Sequence, residues 1–201
     1  MIKKLPIWLV YSRVVAGLLI LLLAWLGAEW SRGVIVALMV YGLISDFFDG
    51  YIARRVGVSA ERLRRLDSTV DQFFWLAVML GSYWLSPQFY KDHWLSITLL
   101  IGLEAAAYVI SFVRFKKEVA THALASKLWV LTLLFTFVEV VLRGNSSWVF
   151  TICFWVGVVS RLEIIAILLL IKKWVNDVPT IYHAIQLRQG KTIKRNKIFN
   201  G

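Results

Sequence analysis

The segment DFFDGYIARRVGVSAERLRRLDSTVD, residues 46–71, begins inside one apolar run, ends at the start of another and contains four aspartates. Asp46 and Asp49 are three residues apart, and Asp67 and Asp71 are four apart, so each pair shares one face of a helix. The spacing therefore predicts that two neighbouring helix ends present four carboxylates to one point.

The remainder of the chain is too apolar for a soluble domain, since 59% of its 201 residues are hydrophobic and 17% are charged. Apolar runs of about 20 residues are long enough to cross a bilayer core as helices. Six such runs lie at residues 7–28, 34–56, 66–85, 94–115, 124–142 and 148–171. The sequence therefore predicts an all-α polytopic membrane protein, in which residues 1–175 form a bundle of six transmembrane helices. The first run is longer than a signal-peptide core, so we expect it to be a retained helix.

Residues 176–201 are predicted to form a cytoplasmic segment at the membrane surface. The stretch PTIYHAIQL is typical of a short interfacial helix that begins at Pro179, and Gly190 is expected to end it. The basic tail KTIKRNK follows, and anionic lipid head groups would attract it.

The net charge of +11 is distributed unevenly across the predicted membrane. Most Lys and Arg residues fall on the side that carries the N-terminus, and only Arg32, Lys91 and Arg143 fall on the other side. Because cytoplasmic loops are enriched in Lys and Arg, this distribution predicts that both termini and the four aspartates are cytoplasmic. Membrane topology thus explains the charge, and we expect no nucleic-acid partner.

Four carboxylates gathered at one point would repel one another unless a cation lay among them. Hard oxygen ligands suit Mg²⁺, Mn²⁺ or Ca²⁺ rather than zinc. The alternative is that the aspartates form ion pairs with the basic residues of the same segment, Arg54, Arg55, Arg62, Arg64 and Arg65. Gly50 and Ala53 favour a ligand site, because small side chains leave space close to the backbone of the same helix. Arg54 offers a charge-assisted contact to a phosphate.

These residues resemble the signature of the class I CDP-alcohol phosphotransferases, also called CDP-alcohol phosphatidyltransferases, which are integral membrane enzymes of phospholipid synthesis. The matching positions read Asp46-x2-Asp49-Gly50-x2-Ala53-Arg54-x8-Leu63-x3-Asp67-x3-Asp71. Leu63 is the one departure, since the family has Gly there. Pro6 and Arg13 also look like the family's opening of the first helix, and ALASK, ending in Lys127, looks like its segment before the fifth helix.

The resemblance implies transfer of a phosphatidyl group from a CDP-linked lipid such as CDP-diacylglycerol to a small alcohol, with release of CMP. It implies that Asp46, Asp49 and Asp67 hold a divalent metal, Mg²⁺ or Mn²⁺, and that Asp71 completes a second metal position and accepts the proton of the alcohol. The implied CDP-binding residues are Asp46, Asp49, Gly50, Ala53, Arg54 and Asp67. A homodimer in a prokaryotic cell (inner) membrane is expected by the same likeness.

The acceptor alcohol is left open by the sequence. SDFFDGYIARR looks most like phosphatidylglycerophosphate synthases, which suggests glycerol-3-phosphate, whereas LDSTVDQ leans toward enzymes that use serine or inositol phosphate; choline is a further alternative. Arg114 and Lys127 lie nearest the spans and are candidates for binding an anionic acceptor. Their charges also fit membrane topology alone.

Leu63 leaves three outcomes open: a shifted nucleotide, a different donor or lost catalysis. Retention of all four aspartates favours an active enzyme. The rival class is a catalytically degenerate scaffold or a small transporter, for which polar residues in mid-membrane would be a sign. Glu104, Arg161 and Glu163 lie within predicted spans, but we expect Arg161 to pair with Glu104 or Glu163.

Overall fold

The computed structural model describes residues 5–56, 61–117, 119, 124–175 and 178–191. Every regular element within these ranges is a helix, which confirms the predicted all-α class. The helices are α1 (Leu5–Leu26), α2 (Glu29–Val56), α3 (Glu61–Leu85), α4 (Pro87–Asp92), α5 (Trp94–Phe115), α6 (Leu124–Arg143), α7 (Trp148–Leu170) and α8 (Ile181–Arg188).

The helix bounds agree with the apolar runs except where charged or capping residues decide them. α3 begins at Glu61 rather than at residue 66, because the charged residues before the apolar run continue the helix. α4 is a short helix that the sequence analysis did not predict. α8 begins at Ile181 rather than at Pro179, because Thr180 has an extended backbone and lies just before the first turn. The basic tail lies outside the described residues, apart from Lys191.

Five of the described helices are long and apolar enough to cross a membrane: α1, α2 as far as Ala53, α5, α6 from Ala125 and α7. α3 has sufficient length, with 25 residues, but its first half contains several arginines and two aspartates. Its second half is apolar, as predicted. The protein therefore has five to six long apolar helices, with a short helix near its C-terminus.

The chain divides into two compact units. Unit 1 comprises Met1–Lys91 and Phe137–Ser146. Here α1 packs against both α2 and α3 around the buried side chains of Ile20, Met39 and Phe74. Small residues let these helices approach closely, since a Cβ added to Gly17 would lie 3.2 Å from the Phe73 ring. This close packing positions the aspartate-bearing parts of α2 and α3 beside α1.

Unit 2 comprises Asp92–Thr136 and Ser147–Gly201. α7 packs against α5 and α8, and its core is made of apolar side chains such as Ala107, Ile167 and Ala184. The short helix α8 is thus held by one buried face, which includes Ala184, while Tyr182 on another face is 65% exposed; its interfacial position stays a prediction. The domain boundary predicted after residue 175 stays a prediction, because residues 176 and 177 are outside the described ranges.

Candidate active site

The structure brings the four aspartates of residues 46–71 together in unit 1, and it does so around an arginine. Arg13 of α1 contacts all four carboxylates. Its Nη1 donates to Asp46 of α2 at 3.0 Å and also to Asp71 of α3. Its Nη2 donates to Asp49 of α2 and to Asp67 of α3. Each terminal nitrogen therefore bridges the two helices. Nη1 joins Asp46 to Asp71, and Nη2 joins Asp49 to Asp67.

The sequence analysis placed Arg13 in the family likeness alone and did not connect it with the carboxylates. A signal was available, because Arg13 is the only charged residue of the 22-residue helix α1. A charged side chain at membrane depth faces a protein interior or a cavity and has a partner there. That rule predicts an acidic partner for Arg13, although it cannot say which acidic residues supply it.

The cluster is closed on one side and open on the other. The Arg13 side chain is fully buried and that of Asp49 is 3% exposed, whereas that of Asp46 is 41% exposed. Asp67 and Asp71 are intermediate, with side chains 28% and 31% exposed. A ligand can therefore approach from the side of Asp46, against a buried wall formed by Arg13 and Asp49.

The contacts with Arg13 do not by themselves balance the charges of this cluster. One guanidinium offsets one of four ionised carboxylates, and the side chains of Arg54, Arg62, Arg64 and Arg65, the alternative ion-pair partners, lie outside the described part of the structure. Carboxylates at such short range repel one another, and a cation among them relieves the repulsion. The arrangement of the described side chains can therefore accommodate additional positive charge.

The donor set fits a hard divalent cation. Asp46, Asp49 and Asp67 each offer one carboxylate oxygen, and these three atoms lie within 4.8 Å of one another. Oxygen atoms on a partly open site are the ligands that Mg²⁺ and Mn²⁺ prefer. Asp71 lies one helical turn after Asp67 on the same face of α3 and joins the cluster through Arg13.

The predicted CDP-binding positions Gly50, Ala53 and Arg54 lie on the last turns of α2. Ala53 is buried and Gly50 is half-buried. The side chain of Arg54 lies outside the described part of the structure. Leu63 lies in the first turn of α3, half-buried, one turn before Asp67. Leu63 and Asp67 therefore lie on the same face of α3.

The two candidate acceptor residues, Arg114 and Lys127, belong to unit 2. Arg114 donates to the carbonyl oxygen of Leu168 and, at 3.4 Å, to that of Ile171. These carbonyls lie at the C-terminus of α7, where backbone acceptors lack helical partners, so Arg114 stabilises the helix end. Lys127 is exposed in the first turn of α6.

Two of the three charged residues predicted within the spans, Arg161 and Glu104, form one of the expected pairs. The Nε atom of Arg161 in α7 lies 2.6 Å from Oε2 of Glu104 in α5. The guanidinium carbon of Arg161 lies 4.2 Å from the centroid of the Trp129 ring. One positive and one negative charge balance here, and the indole ring adds a cation–π contact. The pairing of Arg161 with Glu104 is confirmed.

Comparison with known proteins gives one family. The family model described as CDP-alcohol phosphatidyltransferase matches residues 3–182, which is most of the chain and includes Arg13 and all four aspartates. Neither the curated proteins nor the solved structures contain a match to this chain.

Proposed function

Because the chain belongs to the CDP-alcohol phosphatidyltransferase family, we propose that its reaction takes place at the acidic cluster of α2 and α3. The protein is an integral membrane enzyme of phospholipid synthesis. The proposed donor is CDP-diacylglycerol and the proposed acceptor is glycerol-3-phosphate. The single observation that carries the proposal is the convergence of three carboxylate oxygens within 4.8 Å in a partly open site.

The transfer forms one phosphorus–oxygen bond and breaks another. The acceptor hydroxyl oxygen attacks the phosphatidyl phosphorus, and the bond from that phosphorus to the CMP oxygen breaks, so that CMP leaves. Asp71 accepts the proton of the hydroxyl, because an alcohol is a poor nucleophile until a base removes its proton. The open side of the cluster gives this carboxylate, 31% exposed, access to a substrate hydroxyl.

Enzymes of this family use a divalent metal, which when bound neutralises the diphosphate and stabilises the leaving CMP. We propose Mg²⁺ or Mn²⁺ in two positions, held by Asp46, Asp49 and Asp67, with Asp71 completing the second. Gly50, Ala53 and Arg54 are proposed to contact the CDP portion. Phosphoryl transfer depends mainly on positioning and charge stabilisation, and the rigid packing of α1 against α2 and α3 supplies the positioning.

Arg114 and Lys127 remain proposed ligands of an anionic acceptor. The contacts of Arg114 with the α7 carbonyls supply a structural role as well, so its substitution has two possible effects. Serine, inositol phosphate and choline are the alternative acceptors. We further propose a homodimer in a prokaryotic cell (inner) membrane with the active site in the cytoplasm. Within unit 1, the contact of Arg32 with the Val141 carbonyl at 2.8 Å supports placing Arg32 and Arg143 on the same side of the membrane.

The test is release of CMP from CDP-diacylglycerol by the purified protein in lipid, with Mg²⁺ or with a chelator. Glycerol-3-phosphate, serine, inositol phosphate and choline are supplied in parallel reactions. We expect metal-dependent release of CMP with glycerol-3-phosphate and with no other acceptor. Release with a different acceptor would correct the acceptor alone, and absence of release with all four would contradict the transferase.

The transporter alternative was favoured by three charged residues within the spans, Glu104, Arg161 and Glu163. The pairing of Arg161 with Glu104 accounts for two of them and weakens that support. A degenerate scaffold predicts no release of CMP, so the same assay distinguishes it.

A further inference from the structure

Arg13 has surroundings that are unusual for a structural arginine. The side chain is fully buried, and every hydrogen bond described for its guanidinium goes to one of the four aspartates. Its Nε is buried without a hydrogen-bond partner among the described residues. The arginine is therefore held in place by the same carboxylates that the metal would need.

We propose that Arg13 is a resident counterion that competes with divalent cations for the acidic cluster, so that metal binding displaces its guanidinium from the carboxylates. This inference rests on the metal site of the proposed function and goes beyond it, because it assigns a role to a residue that does not bind metal. Three of the four aspartates that Arg13 contacts are those whose oxygens converge within 4.8 Å.

Competition follows from electrostatics. A guanidinium and a divalent cation placed among the same oxygens repel each other, and partial burial weakens the solvent screening of that repulsion. The carboxylates cannot direct the same lone pairs to both cations. A metal ion brings two positive charges where Arg13 brings one, so it attracts the shared carboxylate oxygens more strongly.

Arg13 also has a positive role in the metal-free protein. Without a cation the four carboxylates would repel one another and push α2 away from α3. By bridging Asp46 to Asp71 and Asp49 to Asp67, the guanidinium keeps the two helices in register before metal arrives. The arginine thus weakens metal binding and at the same time preserves the geometry of the empty cluster.

The experiment measures Mn²⁺ binding to the purified full chain in detergent, by electron paramagnetic resonance of free Mn²⁺ and without any CDP lipid. The variants are Arg13→Gln, which removes the charge, and Arg13→Lys, which keeps it but loses the planar fork. Arg32→Gln is the matched control, because Arg32 is a half-buried arginine of the same unit that donates to a backbone carbonyl. Thermal unfolding is recorded with Mn²⁺ and with EDTA.

We expect Arg13→Gln to lower the Kd for Mn²⁺ at least about tenfold, because a competing charge at short range is removed. Arg13→Lys should fall between Arg13→Gln and the wild type, with a Kd at least about threefold lower than that of the wild type. Arg32→Gln should leave the Kd unchanged. In EDTA the Arg13→Gln protein should melt at a lower temperature than the wild type, and Mn²⁺ should raise its melting temperature by more.

Unchanged or weaker Mn²⁺ binding by Arg13→Gln would overturn the competition while leaving the proposed metal site intact. If Arg13→Gln does not fold, Arg13→Lys decides alone: tighter binding than the wild type supports the inference, and equal or weaker binding overturns it. Absence of Mn²⁺ binding to the wild type and to every variant would overturn the metal site itself, and with it both proposals.

Discussion

The two arginines that are buried among the described residues lie in different electrostatic surroundings. Arg161 in unit 2 has one carboxylate partner, Glu104, and an aromatic ring over its guanidinium. Arg13 in unit 1 has four carboxylate partners. Arg161 and Glu104 form a balanced one-to-one pair, whereas one guanidinium, that of Arg13, is shared by four carboxylates. Burial of an arginine in a membrane protein therefore does not by itself identify a functional site, and the sharing of one arginine by several carboxylates is the feature that distinguishes the two regions.

The largest expected effect concerns the proposed base. Asp71→Asn keeps the size of the side chain but cannot accept a proton, so we expect release of CMP to fall by about 10²–10⁴-fold. The matched control is Glu104→Gln, which makes the same type of change in the balanced pair and should leave release of CMP per folded protein within about threefold, because Glu104 takes no part in the proposed reaction. Both are measured in the CMP-release assay after purification.

Near-normal turnover of Asp71→Asn would contradict the assignment of the base. A loss of activity in both variants of similar size would show that the comparison between the two clusters is wrong.

The balanced pair should affect stability instead of catalysis. Arg161→Met or Glu104→Gln alone leaves one charge without its partner. We expect a loss of about 2–3 kcal/mol in the free energy of unfolding, which is below the range for a fully buried pair because the Glu104 side chain is 38% exposed. The double variant should recover most of the loss, since no unpaired charge remains.

Urea unfolding in detergent, followed by tryptophan fluorescence, measures these values with Mg²⁺ and with EDTA. The losses should be the same in both conditions, because this pair binds no metal. If Mg²⁺ changed these losses by as much as it changes the free energy of unfolding of the wild type, the distinction between the two regions would be removed.

Helix spacing offers a third test of the comparison. Gly42 of α2 lies one turn before Asp46, and an added methyl group there would collide with the Phe74 ring of α3. Gly42→Ala should therefore lower the free energy of unfolding by about 1–3 kcal/mol and weaken Mn²⁺ binding, because α2 and α3 must separate.

The control is Gly102→Ala in α5, where an added methyl group meets no atom of the described residues within 4 Å apart from the backbone of its own helix. Gly102→Ala should raise the free energy of unfolding by up to about 1 kcal/mol, because Ala is a better helix former than Gly. It should leave Mn²⁺ binding unchanged. Equal effects of the two substitutions would mean that the close approach at Gly42 is not needed for the acidic cluster.

Sequence patterns predicted the elements of this fold well because the apolar runs report which stretches cross the membrane. α5 was predicted from residue 94 to residue 115, as observed. The start of α3 was missed because charged residues continue a helix beyond its apolar part, and hydropathy does not report that continuation. The short helix α4 was missed because six residues are too few for a periodic signal.

The site was predictable in part. Helical spacing brought each pair of aspartates to one face, but spacing cannot report a partner from another helix. The contacts of Arg13 with Asp46 and Asp71 join positions 33 and 58 residues apart. Only the packing of α1 between α2 and α3 creates them. For the same reason, the sequence could not report the contacts of Arg114, because its partners at the end of α7 lie more than 50 residues later in the chain.

The smallest expected effect concerns Leu63, one turn before Asp67 on α3. Since Leu63 is half-buried and shares a helix face with Asp67, we expect Leu63→Gly to open space next to the proposed CDP site. We expect the KM for CDP-diacylglycerol to fall by about threefold, a small change because all four aspartates stay in place. Leu76→Gly is the control, because it makes the same change to helix propensity nine residues after Asp67, on the opposite face of α3, and should not lower KM. If the wild type does not bind the donor and Leu63→Gly does, the leucine blocks the site, and the acidic cluster of this chain is then a cation site without transferase activity.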